Sequence, residues 1–283
     1  MDPSDDHGAT DGADVALDVV GDPTRLRILR ALFEAGTGPL SFSELREATG
    51  MRDSGLFNYH LGKLVGPFVR KTEGGYELRY AGQQVVGAVV SGTYTADLEL
   101  GPVALDADCG TCGGTLEASY TDDHGEVSCA DCGEVLTRYR MPPGLFADRD
   151  PATLPALLHA WVRLDVLRTD AGICPVCLGH ATGTLAVDPP AVTFGCSRCG
   201  MQAGTGVQGV VLDHPAVVAF HHDRGFDVRS GPLWALDWPF DPAALTVLDA
   251  DPPRVRVTVV LGDDELHCEV DEHLDVTVRP EPV

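Results

Sequence analysis

The sequence predicts a multidomain α+β protein, and three observations lead to that prediction. Residues 14–92 show helical periodicity in three segments, then two short strands, then a further helical segment. Eight of the nine cysteines follow in two copies of one spacing, with another helical segment between the copies. Residues 207–283 carry short apolar runs typical of strands, so we expect a small C-terminal α+β domain there.

The N-terminal region begins with an acidic tail. Residues 1–13 are too polar to bury a core and are predicted to be disordered. A helix over residues 14–34 is expected to restart at Gly21, with Asp22 as N-cap and Pro23 at its first position. The other predicted elements are a helix from Ser41 or Ser43, a helix from Asp53 or Ser54, strands at 68–70 and 76–80 around a Glu73-Gly74-Gly75 turn, and a helix over 81–91.

This order of three helices, a β-hairpin and a closing helix predicts a winged helix-turn-helix over residues 14–92. The segments GDPTRLRIL (21–29), SFSEL (41–45) and FNYHLGKL (57–64) also resemble the ArsR-type winged helix-turn-helix transcriptional regulators of halophilic archaea. The resemblance implies that the third helix enters the major groove of double-stranded DNA, that the wing contacts the backbone, and that the protein forms a homodimer. No cysteine precedes Cys109, so the recognition-helix metal sensor of many such regulators is not expected.

The charge of the chain is strongly negative but unevenly distributed. The formal net charge is −23, and Lys63 and Lys71 are the only lysines, a composition similar to that of proteins from salt-in halophilic archaea. Residues 14–80 carry nine Lys or Arg and nine Asp or Glu, whereas residues 81–283 carry eleven against thirty. The neutral segment is therefore the one expected to meet a polyanion.

Within that segment, seven polar side chains are candidate DNA contacts. An asparagine can read adenine through two hydrogen bonds, and the cationic and hydroxyl side chains can bind phosphate. The candidates on the third helix and the wing are Arg52, Ser54, Asn58, Tyr59, Lys63, Arg70 and Lys71. The alternative is that they are ordinary polar residues on the wet face of a helix. His60, on the same helix, is expected to be partly buried or to face phosphate.

The cysteine spacing predicts two four-thiolate metal sites. In residues 105–140 two CxxC pairs are separated by sixteen residues, and in residues 172–204 by eighteen, so each stretch is interpreted as a zinc ribbon. Four thiolates leave no open coordination position, so two structural Zn2+ ions are expected; iron and a redox dithiol are the alternatives. The predicted ligands are Cys109, Cys112, Cys129 and Cys132 in the first stretch and Cys174, Cys177, Cys196 and Cys199 in the second.

The remaining segments give weaker predictions. A connecting helix is expected within residues 148–170, with a stripe formed by Leu154, Leu157, Leu158, Trp161, Val162, Leu164 and Leu167. In residues 207–283 we expect strands, one of them at 210–212, and a helix at 215–225. Two side-chain sets have two interpretations each: the aromatic residues Phe220, Phe226, Trp234, Trp238 and Phe240 form a core or line a pocket, and His221 and His222 lie on an exposed helix face or bind metal. Cys268 is expected to be a small buried residue. His124 and His180 are not needed as ligands.

The function predicted from these features is that of a DNA-binding transcriptional regulator. No catalytic motif is present, so an enzyme is not expected. The alternative is a factor associated with the transcription machinery that uses the winged helix and the zinc ribbons for protein contacts. The acidic N-terminus is unlike a signal peptide and no apolar run is long enough to span a membrane, so a cytoplasmic protein without a membrane partner is expected.

Overall fold

The computed structural model describes residues 18–279, a mixed α/β chain with several helices and sheets. Contacts divide the described residues into two compact units. The N-terminal unit comprises residues 18–96 with 142–144, and the C-terminal unit comprises residues 97–141 and 145–279. The predicted disordered tail, residues 1–13, lies outside the described residues.

The N-terminal unit contains four helices and one hairpin. Their bounds are α1 Pro23–Glu34, α2 Phe42–Ala48, α3 Ser54–Leu64, β1 Val69–Thr72, β2 Gly75–Leu78 and α4 Tyr80–Val90. Residues 18–20 are helical as well, and the chain restarts at Gly21 and Asp22 as predicted. This order of elements agrees with the sequence prediction in kind and, within a few residues, in position.

Side-chain caps fix where the first three helices begin. The Asp22 carboxylate accepts hydrogen bonds from the backbone N–H groups of Thr24 (2.7 Å) and Arg25 (3.2 Å), and Pro23 is the first helical residue. Ser41, rather than Ser43, caps α2, in a capping box with Glu44. Asp53 caps α3, so this helix begins at Ser54. Each cap satisfies backbone donors that would otherwise lack a partner.

The hairpin of the N-terminal unit is joined by two backbone hydrogen bonds to the loop that precedes α2. The Leu40 N–H donates to the Tyr76 carbonyl (3.0 Å), and the Tyr76 N–H donates to the Leu40 carbonyl (2.8 Å). Gly75 has a φ of 134°, and a Cβ there would lie 2.2 Å from the Leu40 carbonyl oxygen. Only glycine fits this position, because both the backbone angle and the space exclude a side chain.

The core of the N-terminal unit lies between its helices and the hairpin. Helix α1 packs against α2, α3, α4 and β2. Along each helix the fully buried side chains recur about every three or four residues, as expected of an amphipathic helix. They include Ile28, Leu29, Leu45, Phe57, Leu61, Leu64 and Val86.

The C-terminal unit contains three antiparallel sheets whose strands follow sequence order. The first sheet consists of β3 Leu100–Asp108, β4 Thr115–Thr121, β5 His124–Cys129 and β6 Val135–Arg140. The second consists of β7 Ala181–Val187, β8 Pro190–Cys196 and β9 Gln202–Thr205, and the third of β10 Leu245–Ala250, β11 Pro253–Leu261, β12 Asp264–Val270 and β13 Val276–Arg279. The helices are α5 Leu154–Asp170, α6 Val207–Val211 and α7 Pro215–His222.

This unit has two main cores, one formed by the first sheet with α5 and one shared by the second and third sheets. Leu154 and Leu158 of α5 pack against the first sheet together with Trp234. Val192 and Phe194 of β8 share a second core with α6, α7 and the valines of β11. In β11 the buried Val255, Val257 and Val259 alternate with Arg254, Arg256 and Thr258 on the wetter side, as the sequence pattern predicted.

Two sequence predictions for this unit are wrong. The strand predicted at 210–212 is the end of helix α6, because a short apolar run has no period that distinguishes a buried strand from a buried helix. The apolar stripe predicted for α5 is also incomplete: Leu164 and Leu167 are exposed, while His159, Arg163 and Asp165 are buried. Arg163 is held inside by hydrogen bonds to the Val228 carbonyl and to Asp213, partners that lie fifty or more residues along the chain.

Within residues 18–279, no helix has the length and the apolar character that crossing a bilayer would require.

Candidate metal centres and nucleic-acid interface

The eight predicted metal ligands form two separate clusters of four sulfur atoms. The first Cys cluster consists of Cys109, Cys112, Cys129 and Cys132, and the second of Cys174, Cys177, Cys196 and Cys199. In each cluster the ligand atoms all lie within 4.8 Å of one another. The sequence spacing therefore predicted both groupings without error.

The distances between the sulfur atoms fit a tetrahedral metal site. The Sγ atoms of Cys109 and Cys132 are 3.8 Å apart, and those of Cys112 and Cys129 are 3.5 Å apart. In the second Cys cluster the corresponding pairs are separated by 3.7 Å and 3.6 Å. Metal–sulfur bonds of about 2.3 Å in a tetrahedron place neighbouring sulfurs about 3.8 Å apart, whereas a disulfide requires about 2.05 Å. None of the eight cysteines forms a disulfide, and their sulfur atoms have the spacing of a four-coordinate site.

Backbone N–H groups of the knuckles favour the thiolate form at one cysteine of each cluster. Those of Cys132 and Asp131 lower the pKa of Cys129 to about 7. Those of Cys199 and Arg198 lower the pKa of Cys196 to about 6. A thiolate is the form that binds metal, so these backbone donors favour metal binding at Cys129 and Cys196.

Each knuckle closes with a hydrogen bond onto its first cysteine. The N–H of the residue after the second cysteine donates to that carbonyl, and this residue adopts a positive φ in all four knuckles. It is glycine in three of them (Gly113, Gly133 and Gly200) and Leu178 in the fourth, with a φ of 57°. Leucine in this conformation is strained, so the second Cys cluster contains backbone strain that the first does not.

The candidate histidines do not join the clusters. His124 makes a 2.6 Å contact from Nδ1 to the Asp122 carbonyl, and His180 is exposed. His221 is fully buried: its Nδ1 is 2.8 Å from the Val217 carbonyl, and its Nε2 accepts a hydrogen bond from the Trp238 indole (3.3 Å). His222 is exposed beside it. His221 is therefore a core residue, so the prediction of an exposed face holds for His222 alone, and a metal pair has no support here.

The remaining cysteine behaves as the sequence predicted. Cys268 lies in β12, is fully buried and packs in the core of the C-terminal unit. Burial raises the pKa of its thiol to about 11, so it remains protonated and acts as a small apolar side chain.

All seven side chains predicted to contact DNA are exposed on the N-terminal unit. Phe57, Leu61 and Leu64 turn one face of α3 into the core, which leaves Asn58, Tyr59 and Lys63 on the opposite face. The Lys63 ammonium lies 5.8 Å from the centre of the Tyr59 ring, a cation–π distance. Arg52 and Ser54 are exposed at the start of the helix.

The two candidates on the hairpin differ in their partners. Arg70 is 2.7 Å from the Glu77 carboxylate on the paired strand, so its charge is already matched. The Lys71 ammonium lies 5.9 Å from the centre of the Tyr76 ring. Lys71 is therefore the better placed of the two to meet an external anion.

His60 is buried rather than directed outward. Its Nδ1 lies 3.7 Å from the Asp22 carboxylate, the N-cap of α1. This agrees with the partly buried position predicted for it, and its surroundings indicate a link between α3 and the start of α1.

The aromatic residues of the C-terminal unit divide between the two roles considered for them. Phe220, Phe226 and Trp238 pack around His221 in the core. Trp234 and Phe240 line a pocket together with His159. Sequence reasoning missed His159, because a histidine inside a leucine-rich helix carries no signal of its own.

Comparison with known families gives two matches. A family described as a domain of unknown function, DUF7351, matches residues 106–276, which is more than half of the chain. A second, also described as a domain of unknown function, DUF7347, matches residues 13–89. No curated protein and no solved structure matches the chain.

Proposed function

This chain belongs to the DUF7351 family, and we propose that it is a DNA-binding transcriptional regulator with two structural zinc sites. In this proposal the N-terminal unit is a winged helix-turn-helix of the ArsR type. Helix α3 occupies the major groove, and the β1–β2 hairpin is the wing that contacts the backbone.

The exposed face of α3 carries the proposal. It presents an amide, a phenol and an ammonium group, from Asn58, Tyr59 and Lys63, side by side on a helix whose other face is firmly buried. Such a set can bind both base edges and phosphates. The order of elements around it, three helices, a hairpin and a closing helix, supports the same interpretation.

The charge distribution agrees with this assignment. Residues 14–80 are neutral in sum, within a chain of net charge −23. A surface as acidic as the rest of the chain would repel DNA, whereas a neutral one with exposed Arg52, Lys63 and Lys71 can approach it.

Zinc is the metal we assign to both clusters. Four sulfurs at these distances complete a tetrahedral site without an open position, so the metal has a structural role. Iron fits the same geometry and is the alternative. Metal analysis of the purified protein is expected to give two zinc ions per chain, and an iron content with the colour of a ferric thiolate centre would overturn the assignment.

The protein is proposed to act as a homodimer through α1 and α4. These helices pack on each other in the N-terminal unit, and α4 ends with exposed apolar side chains at Val90 and, just beyond it, Tyr94. A dimer that covers these side chains would bury apolar surface that water now contacts.

The decisive experiment is binding to DNA sites recovered by genome-wide mapping in the native host. Replacing Asn58, Lys63 and Lys71 together by alanine is expected to weaken binding to such a duplex by at least about tenfold, because base and phosphate contacts are lost. A matched variant, Arg149→Ala with Arg198→Ala, removes two exposed cations from the C-terminal unit and is expected to bind normally. Unchanged occupancy by the triple variant would refute the proposal.

A second candidate function is a factor that docks on the transcription machinery. The second Cys cluster favours it, because Val176 is 70% exposed and Leu178 is 57% exposed on its first knuckle. Exposed aliphatic side chains on a metal-stabilised knuckle suit a protein contact. Co-purification with RNA polymerase, without autonomous DNA affinity, would favour this function over the first.

A further inference from the structure

The C-terminal unit contains a pocket of about 350 Å³ between β6, α5, the β9–α6 segment and residues 233–240. Its walls are largely apolar, with four aromatic side chains, Tyr139, Phe194, Trp234 and Phe240. Pockets that hold small molecules have volumes of roughly 300–1,000 Å³, so this one suits a small ligand.

His159 is the unusual residue in this wall. It is 4% exposed, and within the described residues neither ring nitrogen makes a well-formed hydrogen bond, although the backbone of Arg229 interacts with the ring. The ring meets Trp234 edge to face, with the centroids 6.2 Å apart. A buried polar group without a partner destabilises a fold, so an imidazole with at least one unsatisfied nitrogen is difficult to explain by folding alone.

The imidazole of His159 is held neutral. Burial lowers its pKa, and so does the charge of Arg163, while the backbone of Arg229 and the charge of Asp213 act in the opposite direction. A neutral imidazole offers one donor nitrogen and one acceptor nitrogen. The Arg229 backbone can occupy one of these two nitrogens, which leaves the other for a group that enters the pocket.

The cations of the pocket wall already have partners. Arg163 binds the Val228 carbonyl and Asp213. Arg138 lies 3.7 Å from the Glu126 carboxylate. A charged ligand would find no free countercharge on these two arginines, whereas an uncharged one would lose little on leaving water.

We propose that this pocket binds a small, uncharged aromatic molecule carrying one hydroxyl or ring N–H group, and that His159 recognises that polar group. The aromatic walls contact the ring of the ligand, and the imidazole supplies the single directional hydrogen bond. The site goes beyond the DNA-binding proposal, and its test involves no DNA.

The test uses three probes that differ in one substituent: 2-naphthol, naphthalene and 2-naphthoate. Calorimetric titration of the full chain is expected to show binding of 2-naphthol, and binding of the charged 2-naphthoate weaker by about tenfold or more. In His159→Phe the affinity for 2-naphthol should fall by about two- to tenfold, the equivalent of one hydrogen bond, while that for naphthalene should be unchanged or higher.

Two further measurements separate recognition from a structural role. Without ligand, His159→Phe is expected to raise the Tm, because it removes a poorly satisfied imidazole from the interior; a lower Tm would mean that the ring supports the fold and would overturn the proposal. Ala203→Leu, in the pocket wall on β9, should abolish binding of 2-naphthol, whereas Ala250→Leu, exposed on β10, should not. Failure of wild-type protein to bind any of the three probes, or an equal loss of 2-naphthol and naphthalene affinity in His159→Phe, would also overturn it.

Discussion

At the scale of single residues, the fourth knuckle position shows how one side chain distinguishes two otherwise equivalent sites. Gly113, Gly133 and Gly200 reach a positive φ freely, but Leu178 must be forced into it. Since Leu178 is 57% exposed, it gains little from packing in return. The second Cys cluster is therefore expected to bind its metal with a lower affinity than its sulfur geometry alone would give.

Leu178→Gly is expected to stabilise the second Cys cluster by about 1 kcal/mol, because glycine removes the left-handed strain. The measurement is the rate of metal loss to a chelator, together with the Tm. The matched control is Gly133→Leu at the same knuckle position of the first Cys cluster. A Cβ at Gly133 meets no atom within 4 Å, so only backbone strain is added and the effect should be of opposite sign. If both variants lost metal faster than the wild type, the strain argument would fail.

His221 makes the stability of the C-terminal unit depend on pH. Burial lowers its pKa, and the charge of Arg224 lowers it further. In the unfolded chain a histidine takes up a proton as the pH falls below about 6.5. In the folded state His221 is protonated only at a lower pH, because its pKa is lowered. The stabilisation that His221 contributes is therefore fully present above about pH 6.5 and is lost as the pH falls below that value.

Between pH 6.5 and 5.5 the free energy of unfolding is therefore expected to fall, with His221 contributing up to about 1.4 kcal/mol per pH unit. In His221→Asn the slope should decrease by that contribution, because asparagine does not titrate. Trp238→Phe removes the indole partner but keeps the histidine, so its slope should persist although its stability is lower. Denaturant titrations at several pH values measure all three proteins. Equal slopes for wild type and His221→Asn would contradict the assignment.

At the scale of elements, the sequence predicted correctly those features that depend only on nearby residues. Asp22 caps its helix as predicted, and Ser41 and Asp53 are each one of the two alternatives predicted for the next two helices, because an N-cap depends only on residues two or three positions away. The CxxC spacing likewise defined both four-sulfur clusters.

Elements that depend on distant partners were beyond the reach of the sequence. Arg163 is buried because it donates hydrogen bonds to Asp213 and to the Val228 carbonyl, which are distant in sequence. No pattern within α5 predicts these bonds. The sequence did not predict His159 as a site residue for the same reason. Strand β3 was not predicted at all, since Gly101 and Pro102 near its start are typical of loops.

Loss of the first metal is expected to affect one unit and spare the other. Cys112→Ser should reduce the bound metal from two ions per chain to one and unfold the first sheet, because structural zinc contributes on the order of 10 kcal/mol to such a module. Amide NMR signals of the N-terminal unit should keep their positions. Cys268→Ala, which removes a cysteine outside both clusters, should keep both metals. Collapse of the N-terminal signals in Cys112→Ser would show that the two units do not fold separately.

At the scale of the whole molecule, the two Cys clusters, α5 and the third sheet belong to one compact unit. The match to DUF7351 spans the same stretch, residues 106–276. The sequence shows these parts as separate segments, because each has its own periodicity and turn signals. They join because each sheet has too little apolar area to form a core alone. The second and third sheets share the core that contains Val257, and the first sheet packs against α5 in the core that contains Leu158.

The charge of the whole molecule sets the salt dependence expected of DNA binding. Few cations are exposed on the N-terminal unit, and Arg70 is already paired with Glu77. The logarithm of the binding constant should therefore fall with the logarithm of salt concentration with a slope shallower than about −6, since each phosphate contact adds roughly −0.9. Fluorescence anisotropy across a salt series measures this slope. A steeper dependence would mean that many more phosphates are neutralised than these side chains can reach.

The attachment of Tyr76 to Leu40, with no room for a Cβ at Gly75, has a mechanical consequence. The hairpin is fixed beside its turn and cannot move independently to follow a partner, so adaptation must come from the partner. If that partner is a duplex, we expect the preferred sites to contain pliable pyrimidine–purine steps beside the segment that α3 reads, and sequence preference to extend to bases that no side chain touches.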